Sequence, residues 1–206
     1  LEFRRVLFRS DYETYKRDGA NVDKLLVCPN GAQHRDYHFT EKPLKPSWTL
    51  YLGRIEPRKR QYLYQDIYGV EFVGKYTDTT SFDRNRDCYL GQWEHEYKLQ
   101  HVTDYGNMML LSDGENGTPL VIKEALVAGL GVVVSKYAAH DLDTSLPFVT
   151  VIPDDKWEDI EYVQEKLIEN RKISVTMRKE IRQYGVDNFS WQKLVKTYVE
   201  NIEGME

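Results

Sequence analysis

The sequence predicts an α/β domain on a Rossmann-like parallel sheet, with helices on both faces and a helical C-terminus. Three observations carry that prediction. Short apolar runs recur at 48-WTLYLG-53, 70-VEFVG-74, 88-CYLGQW-93, 107-NMMLLS-112, 131-GVVVS-135 and 148-FVTVIP-153. They are apolar on both faces, as strands are when helices cover a parallel sheet on either side. Helical patterns separate several of them, at about 59–68, 94–105 and 119–129, and the last fifty residues turn wholly helical.

Taken in order, the first ten residues, LEFRRVLFRS, stand apart. A codon string that encodes them, CTG GAG TTC AGA CGT GTG CTC TTC CGA TCT, resembles a short-read sequencing adapter. The segment 1–10 is therefore read as an artefact and kept out of the fold argument. Residues 11–24 look like the end of a helix closed by Gly19, and 25-LLVC-28 like a short strand leading into the turn Pro29-Asn30-Gly31. Residues 11–31 are read as the tail of a missing N-terminal domain. Residues 32–47, polar with Pro43 and Pro46, are read as a linker, and 48–206 as the main domain. Near the C-terminus, DIEYVQEKLIENR, SVTMRKEIRQYG and SWQKLVKTYVENI show apolar spacings of three and four, and Asn188 or Ser190 suits the cap of the last helix.

The chain has 206 residues, 41% of them apolar and 30% charged, enough for one packed domain and too apolar for disorder. Its 28 Lys and Arg against 33 Asp and Glu give a net charge of −5. Removing the first ten residues takes away Arg4, Arg5, Arg9 and Glu2, leaving 25 against 32, or −7. Such a chain is a poor general binder of nucleic acid, which requires phosphate neutralisation. Any anion must be held by a local basic pocket. Cys28 and Cys88 lack metal-like spacing and read as thiols in a reducing, cytoplasmic setting. No apolar run approaches the roughly 20 residues of a membrane span.

In open sheets of this kind, ligands bind at the carboxyl ends of the strands. Three loops there carry chemistry. In 52-LGRIEPRK-59, Gly53 and Arg54 end a strand, and Lys59 follows five residues later. The planar fork of Arg54 and the compact charge of Lys59 suit two adjacent phosphates, although spacing alone suits a solvated basic turn equally well. In 89-YLGQW-93, Gly91 lets a flat ring approach the backbone and Gln92 can pair with a base edge; alone, a plain strand-to-helix turn explains it better. In 112-SDGENGTPLVIKEALVAGLG-131, Gly114 and Gly117 expose backbone N–H groups, and Pro119 suits the first helical position, so the helix begins near Leu120. The mouth of that helix is a ready anion site. Glu124, one turn in, can accept from two vicinal hydroxyls, and Glu115 lies in the loop where a sugar ring would rest. Each acid alone is better explained by its helix dipole or by solvent; their meeting with Arg54, Lys59 and two glycines shifts the balance toward a site.

The segments GRIEPRK, YLGQW, SDGENGTPLVIKEALVAGLGVVVS, the late FSW and the upstream VCPNG resemble the nucleotide-binding, C-terminal half of family-4 glycosyltransferases of the GT-B fold. The resemblance runs from about residue 25 to 203. It implies a donor diphosphate held by Arg54 and Lys59, with Gly53 beside them and Gln92 bordering the base. It implies backbone contacts from the loop of Gly117, Thr118, Pro119 and Leu120, ribose hydroxyls on Glu124, and Glu115 beside the transferred sugar. It also implies sugar transfer with retention, no metal and no cofactor, a nucleotide-sugar donor, and an acceptor bound by a missing N-terminal domain. That domain could attach the protein to a membrane surface. The spacing departs at one point. The family's acids are usually eight residues apart, whereas Glu115 and Glu124 are nine apart with Asn116 at the eighth position. Either the loop carries one extra residue, the favoured reading, or Asn116 stands in place of the first acid. No motif involves His34, His38, His95, His101 or His140. A non-catalytic nucleotide-sugar or scaffold module is the alternative. A dinucleotide oxidoreductase is disfavoured, since no G-x-G-x-x-G follows the first strand.

Overall fold

The computed structural model describes residues 4–6, 9–77 and 81–204. Two short strands, β1 (Arg4–Val6) and β2 (Leu25–Val27), pair in parallel, with helix α1 (Arg9–Arg17) between them. The segment 1–10 set aside on sequence thus contributes β1 and the first residues of α1.

The main sheet has five parallel strands: β3 (Lys45–Leu52), β4 (Val70–Val73), β5 (Tyr105–Leu110), β6 (Gly131–Ser135) and β7 (Val149–Ile152). Their order is β4-β3-β5-β6-β7. Every residue of β4, β5 and β6 is buried, so the apolar runs meet cover on both faces. Helix α2 (His95–His101) precedes β5, and α3 (Leu120–Val127) joins β5 to β6. Helix α4 (Ile160–Thr176) lies across β3, β5, β6 and β7, while α3 packs on α5 (Arg178–Phe189). Helix α6 (Trp191–Glu203) ends the described chain; Ser190 caps it by accepting from the Lys193 N–H, and Asn188 instead donates to the Tyr184 carbonyl. No residue of α6 is fully buried, and Val195 and Val199 are 48% and 44% exposed.

Three expectations need correction. The helix expected over 59–68 is two separate 3-10 turns, Pro57–Lys59 and Gln61–Tyr64. The break lies at Arg60, whose φ of 56° is left-handed and incompatible with a continuous helix. The run 88–93 is not a regular strand; it borders β4 through a Phe72–Tyr89 bridge and three backbone hydrogen bonds. The polar segment 32–47 is packed rather than loose. Tyr37 is buried, the His38 N–H bonds to the Leu99 carbonyl at 2.9 Å, and Lys45–Ser47 already belong to β3.

Buried polar groups tie the layers together. Thr49 donates to Asn107 Oδ1 at 2.6 Å, and Asn107 donates to the Leu167 carbonyl and to Asn170 Oδ1. The Asn170 amide then donates to the Val132 and Phe148 carbonyls and to Thr150 Oγ1, so a single side chain of α4 closes on β6 and β7. Arg178, 2% exposed, donates to the carbonyls of Thr40, Thr103 and Tyr105, joining α5 to the segment before β3 and to the start of β5. Burial lowers its pKa to about 10.

Candidate functional site

The strand order places the site. The chain runs from β3 outward to β4, then returns past β3 to β5. At such a reversal the loops leaving neighbouring strands diverge to opposite sides and open a crevice at the strands' carboxyl ends. The reversal lies between β3 and β5, whose exit loops are 53–60 and 111–119. These are two of the three loops singled out above.

The loops are stitched together. Tyr51, buried on β3, donates to the Lys59 carbonyl, and its hydroxyl accepts from the Leu111 N–H at 3.1 Å. Burial pushes its phenol pKa well up, so it stays neutral and able to donate. The Asp113 N–H bonds to the Arg58 carbonyl at 2.8 Å. Arg60 reaches Asp113 at 3.5 Å, and its guanidinium stacks 4.0 Å from the Trp157 ring, which helps hold its left-handed backbone. Gly74, at the end of β4, is required by a close approach. A Cβ there would lie 1.9 Å from the Gly53 carbonyl oxygen, and its φ is +153°.

Lys59 is 8% exposed and its ammonium sits 3.1 Å from Glu115 Oε1. Arg58 reaches the same oxygen at 3.2 Å. The carboxylate therefore faces two cations across the crevice. Arg54 is on the same rim with its side chain 63% exposed, 3.9 Å from Glu56. The sequence brought Lys59 and Arg54 forward as a pair; the folded chain makes Lys59 and Arg58 the pair around Glu115, with Arg54 at the mouth. Spacing gave no reason to choose Arg58, because only the cross-loop contact distinguishes it.

Helix α3 opens at the same crevice. Pro119 occupies its N-cap rather than its first turn, with φ −57° and ψ 145°. Having no N–H, Pro119 contributes only its carbonyl, to Ile122 at 3.0 Å. The donors at this helix mouth are therefore the N–H groups of Leu120 and Val121, which have no carbonyl one turn back within the helix. Thr118 is buried, and its hydroxyl accepts from the Asp141 N–H at 2.9 Å. Gly117 is buried beside it, Leu120 is 41% exposed and Asn116 is exposed.

Glu124 is buried and pairs with Lys98 of α2 at 2.8 Å. Sequence reading missed that partner, which lies 26 residues away on another helix. Lys123, 3% exposed, bonds the Asn30 carbonyl at 3.2 Å and Asp141 at 3.4 Å; burial lowers its pKa. It anchors the Pro29-Asn30-Gly31 turn to α3. Gln92 lines a separate cavity of about 500 Å³ with Lys45, Trp93, Tyr97 and Tyr105. Lys45 and Tyr105 are the first residues of β3 and β5, and none of the crevice residues named above lines this cavity. Among the described residues, no group of three or more His, Cys, Asp or Glu side chains is placed to hold a metal ion, and no helix is long and apolar enough to cross a membrane.

The fold and the crevice together define a Rossmann-like α/β domain with a cationic cleft at its sheet reversal. No family model and no curated protein matches the sequence. Among solved structures, Anabaena HepE in complex with UDP is similar, with a TM-score of 0.76 at 12% identity over 98% of this chain and 64% of that one. The lipopolysaccharide outer core galactosyltransferase WaaB, in its apo form, gives 0.71 at 15% identity over 100% and 62%. A glycosyltransferase from Rickettsia africae gives 0.68 at 10% identity over 99% and 63%. Identities this low speak for the fold alone, a Rossmann-like α/β domain with a parallel sheet and a helical C-terminus. The chain spans less than two thirds of the length of these structures.

Proposed function

We propose that this chain is the donor-binding part of a glycosyltransferase that takes a nucleotide-diphosphate sugar and transfers the sugar with retention of configuration. The observation that carries the reading is the meeting of Lys59, Arg58 and Glu115 with the mouth of α3 at the sheet reversal. Departure of a nucleoside diphosphate builds negative charge on the leaving oxygens. Lys59, Arg54, Arg58 and the first-turn N–H groups of α3 are the groups available to offset it, without a metal. Glu115 pairs with Lys59 across the crevice; the diphosphate replaces it, and the freed carboxylate turns to the sugar. Glu124 takes the ribose hydroxyls. The acceptor belongs to a separate N-terminal domain, which the exposed apolar residues of α6 would meet. The similarity to a fold solved with UDP and with UDP-glucose supports this reading without naming this chain's own base or sugar.

Calorimetry with uridine and guanosine diphosphates tests it. Lys59→Ala and Arg54→Ala each weaken binding by about tenfold or more, as loss of a charge-assisted contact requires. Unchanged affinity in both variants rules the reading out. The alternative, a non-catalytic nucleotide-sugar module, draws on the same Glu115 ion pairs. It predicts that the chain joined to its acceptor domain binds donor but transfers no sugar.

A further inference from the structure

The cavity along α2 takes no part in the crevice, and its wall suits a different ligand. Its volume of about 500 Å³ is that of a small-molecule site. Trp93, Tyr97 and Tyr105 line it, with the Trp93 ring 5.1 Å from Tyr97 and 6.2 Å from Tyr105. His101 lies against Tyr97 at 4.0 Å, yet Tyr97 stays 49% exposed and Leu90, also on the wall, 38%. Ring surface is therefore open to whatever enters. The charges around it are already paired. Lys45 donates to Glu71 Oε2 at 2.6 Å and sits 5.0 Å from the Tyr105 ring and 5.7 Å from the Trp48 ring. The Tyr105 hydroxyl donates to the same Glu71 oxygen, and His101 Nδ1 lies 2.8 Å from Asp104 Oδ2. Glu94 makes no side-chain cap to α2.

Such a wall disfavours ions of either sign. A phosphate finds the lysine neutralised by Glu71, and two further carboxylates, Glu94 and Asp104, on the wall. A cation finds Lys45 already against the rings it would use. A wholly apolar ligand would strip water from Gln92, Glu94 and Asp104 and return no hydrogen bond. What fits is a neutral molecule with an apolar face for the rings and hydroxyls at its edge. A hydroxyl can both donate to Glu94 and accept from the Gln92 amide. We propose that this cavity binds a neutral sugar ring, laid against Trp93 and Tyr97 with its hydroxyls between Gln92 and Glu94, at a site separate from the donor crevice. Gln92 then meets a sugar hydroxyl in place of the base edge that resemblance implies. The inference stands independently of the donor reading, since no crevice residue lines the cavity.

Indole signals read the site. The chain has four tryptophans, and the indole N–H resonance lost in Trp93→Phe is that of Trp93. Methyl α-glucoside, methyl β-galactoside, maltotriose and cellotriose are titrated by nuclear magnetic resonance, each to about 10 mM, enough to approach saturation at a Kd of about 1 mM. At least one shifts the Trp93 signal. A trisaccharide bound about tenfold or more tighter than either single ring marks a glycan chain as the source, and equal affinities mark a free sugar. Tyr97→Ala, at an exposed position, weakens that binding about tenfold or more, whereas Tyr97→Phe keeps it within about twofold. A Trp93 signal unmoved by every sugar overturns the inference, as does sugar binding that a folded Tyr97→Ala leaves intact. Should that variant fail to fold, Glu94→Gln, expected to weaken binding about threefold or more, decides in the same way. A Trp93 signal that moves with uridine diphosphate and with no sugar gives the cavity to a base and also overturns the inference. Lys59→Ala tells the two claims apart. It should weaken diphosphate binding and leave sugar binding unchanged. Sugar binding lost in Lys59→Ala assigns the sugar to the crevice, and only this inference falls.

Discussion

The two ends of the sheet handle buried polarity in opposite ways. At the strand starts, Arg178 is engaged by four backbone carbonyls and Thr103 Oγ1. Beneath the sheet, Asn170 likewise spends its amide on β6 and β7. At the strand ends, the contacts join side chain to side chain across two loops. Lys59 and Arg58 share one oxygen of Glu115, and Lys98 of α2 meets Glu124 of α3. Satisfied groups bound to backbone have one geometry and no spare capacity, which suits a scaffold. Ion pairs between side chains can be exchanged for an incoming anion, which takes the carboxylate's place against the same cations. The contrast separates groups that hold the fold from groups held ready for a ligand.

Mutations at the two ends should therefore divide cleanly between stability and binding. The largest effect is expected at Arg178. Arg178→Met leaves the carbonyls of Thr103 and Tyr105 buried and unpaired, and should cost about 3–5 kcal/mol in urea denaturation; a loss below about 1 kcal/mol would remove Arg178 from the scaffold. Asn170→Leu comes next, at about 2–4 kcal/mol, with the diphosphate affinity of the folded protein unchanged. A shift in that affinity would couple the two ends and blur the distinction. At the crevice the signs reverse. Lys59→Ala should lower diphosphate affinity by about 1.5–3 kcal/mol in calorimetry while moving the unfolding midpoint little. The smallest effect on binding belongs to Glu115→Ala. By releasing Lys59 and Arg58 it should raise diphosphate affinity a few-fold; weaker binding instead would mean that Glu115 organises the cations rather than occupying them.

Much of the scaffold is legible in the residues. The runs at 107–112 and 131–135 are apolar at nearly every position and became strands buried on both faces. Pro119 followed by an apolar helical pattern set the start of α3 at Leu120. The misreadings have local causes. Residues 59–68 carry good helix formers, yet Arg60 takes a left-handed backbone because Asp113 and Trp157 hold its side chain. The segment 32–47 looks like a linker by composition, yet Tyr37 and the backbone bonds of His38 and Thr40 fix it to the domain. The site divides in the same way. Lys59, Glu115 and the helix mouth could be picked out by residue type and position. Arg58, Tyr51, Lys98 and Lys123 could not, because their roles come from partners 26 to 93 residues distant.

The sequence by itself determined most of the buried strands and the C-terminal helices, and that basic and acidic side chains fall in the loops at the strands' carboxyl ends. Local periodicity and turn chemistry act over a few residues, and a single chain displays them in full. Only the tertiary structure decided that the sheet reverses between β3 and β5, bringing residues 53–60 against 111–119. It alone decided which cation faces which carboxylate. Strand order is a long-range choice made by packing both sheet faces at once, and the strength of a charge depends on the neighbours that burial selects for it.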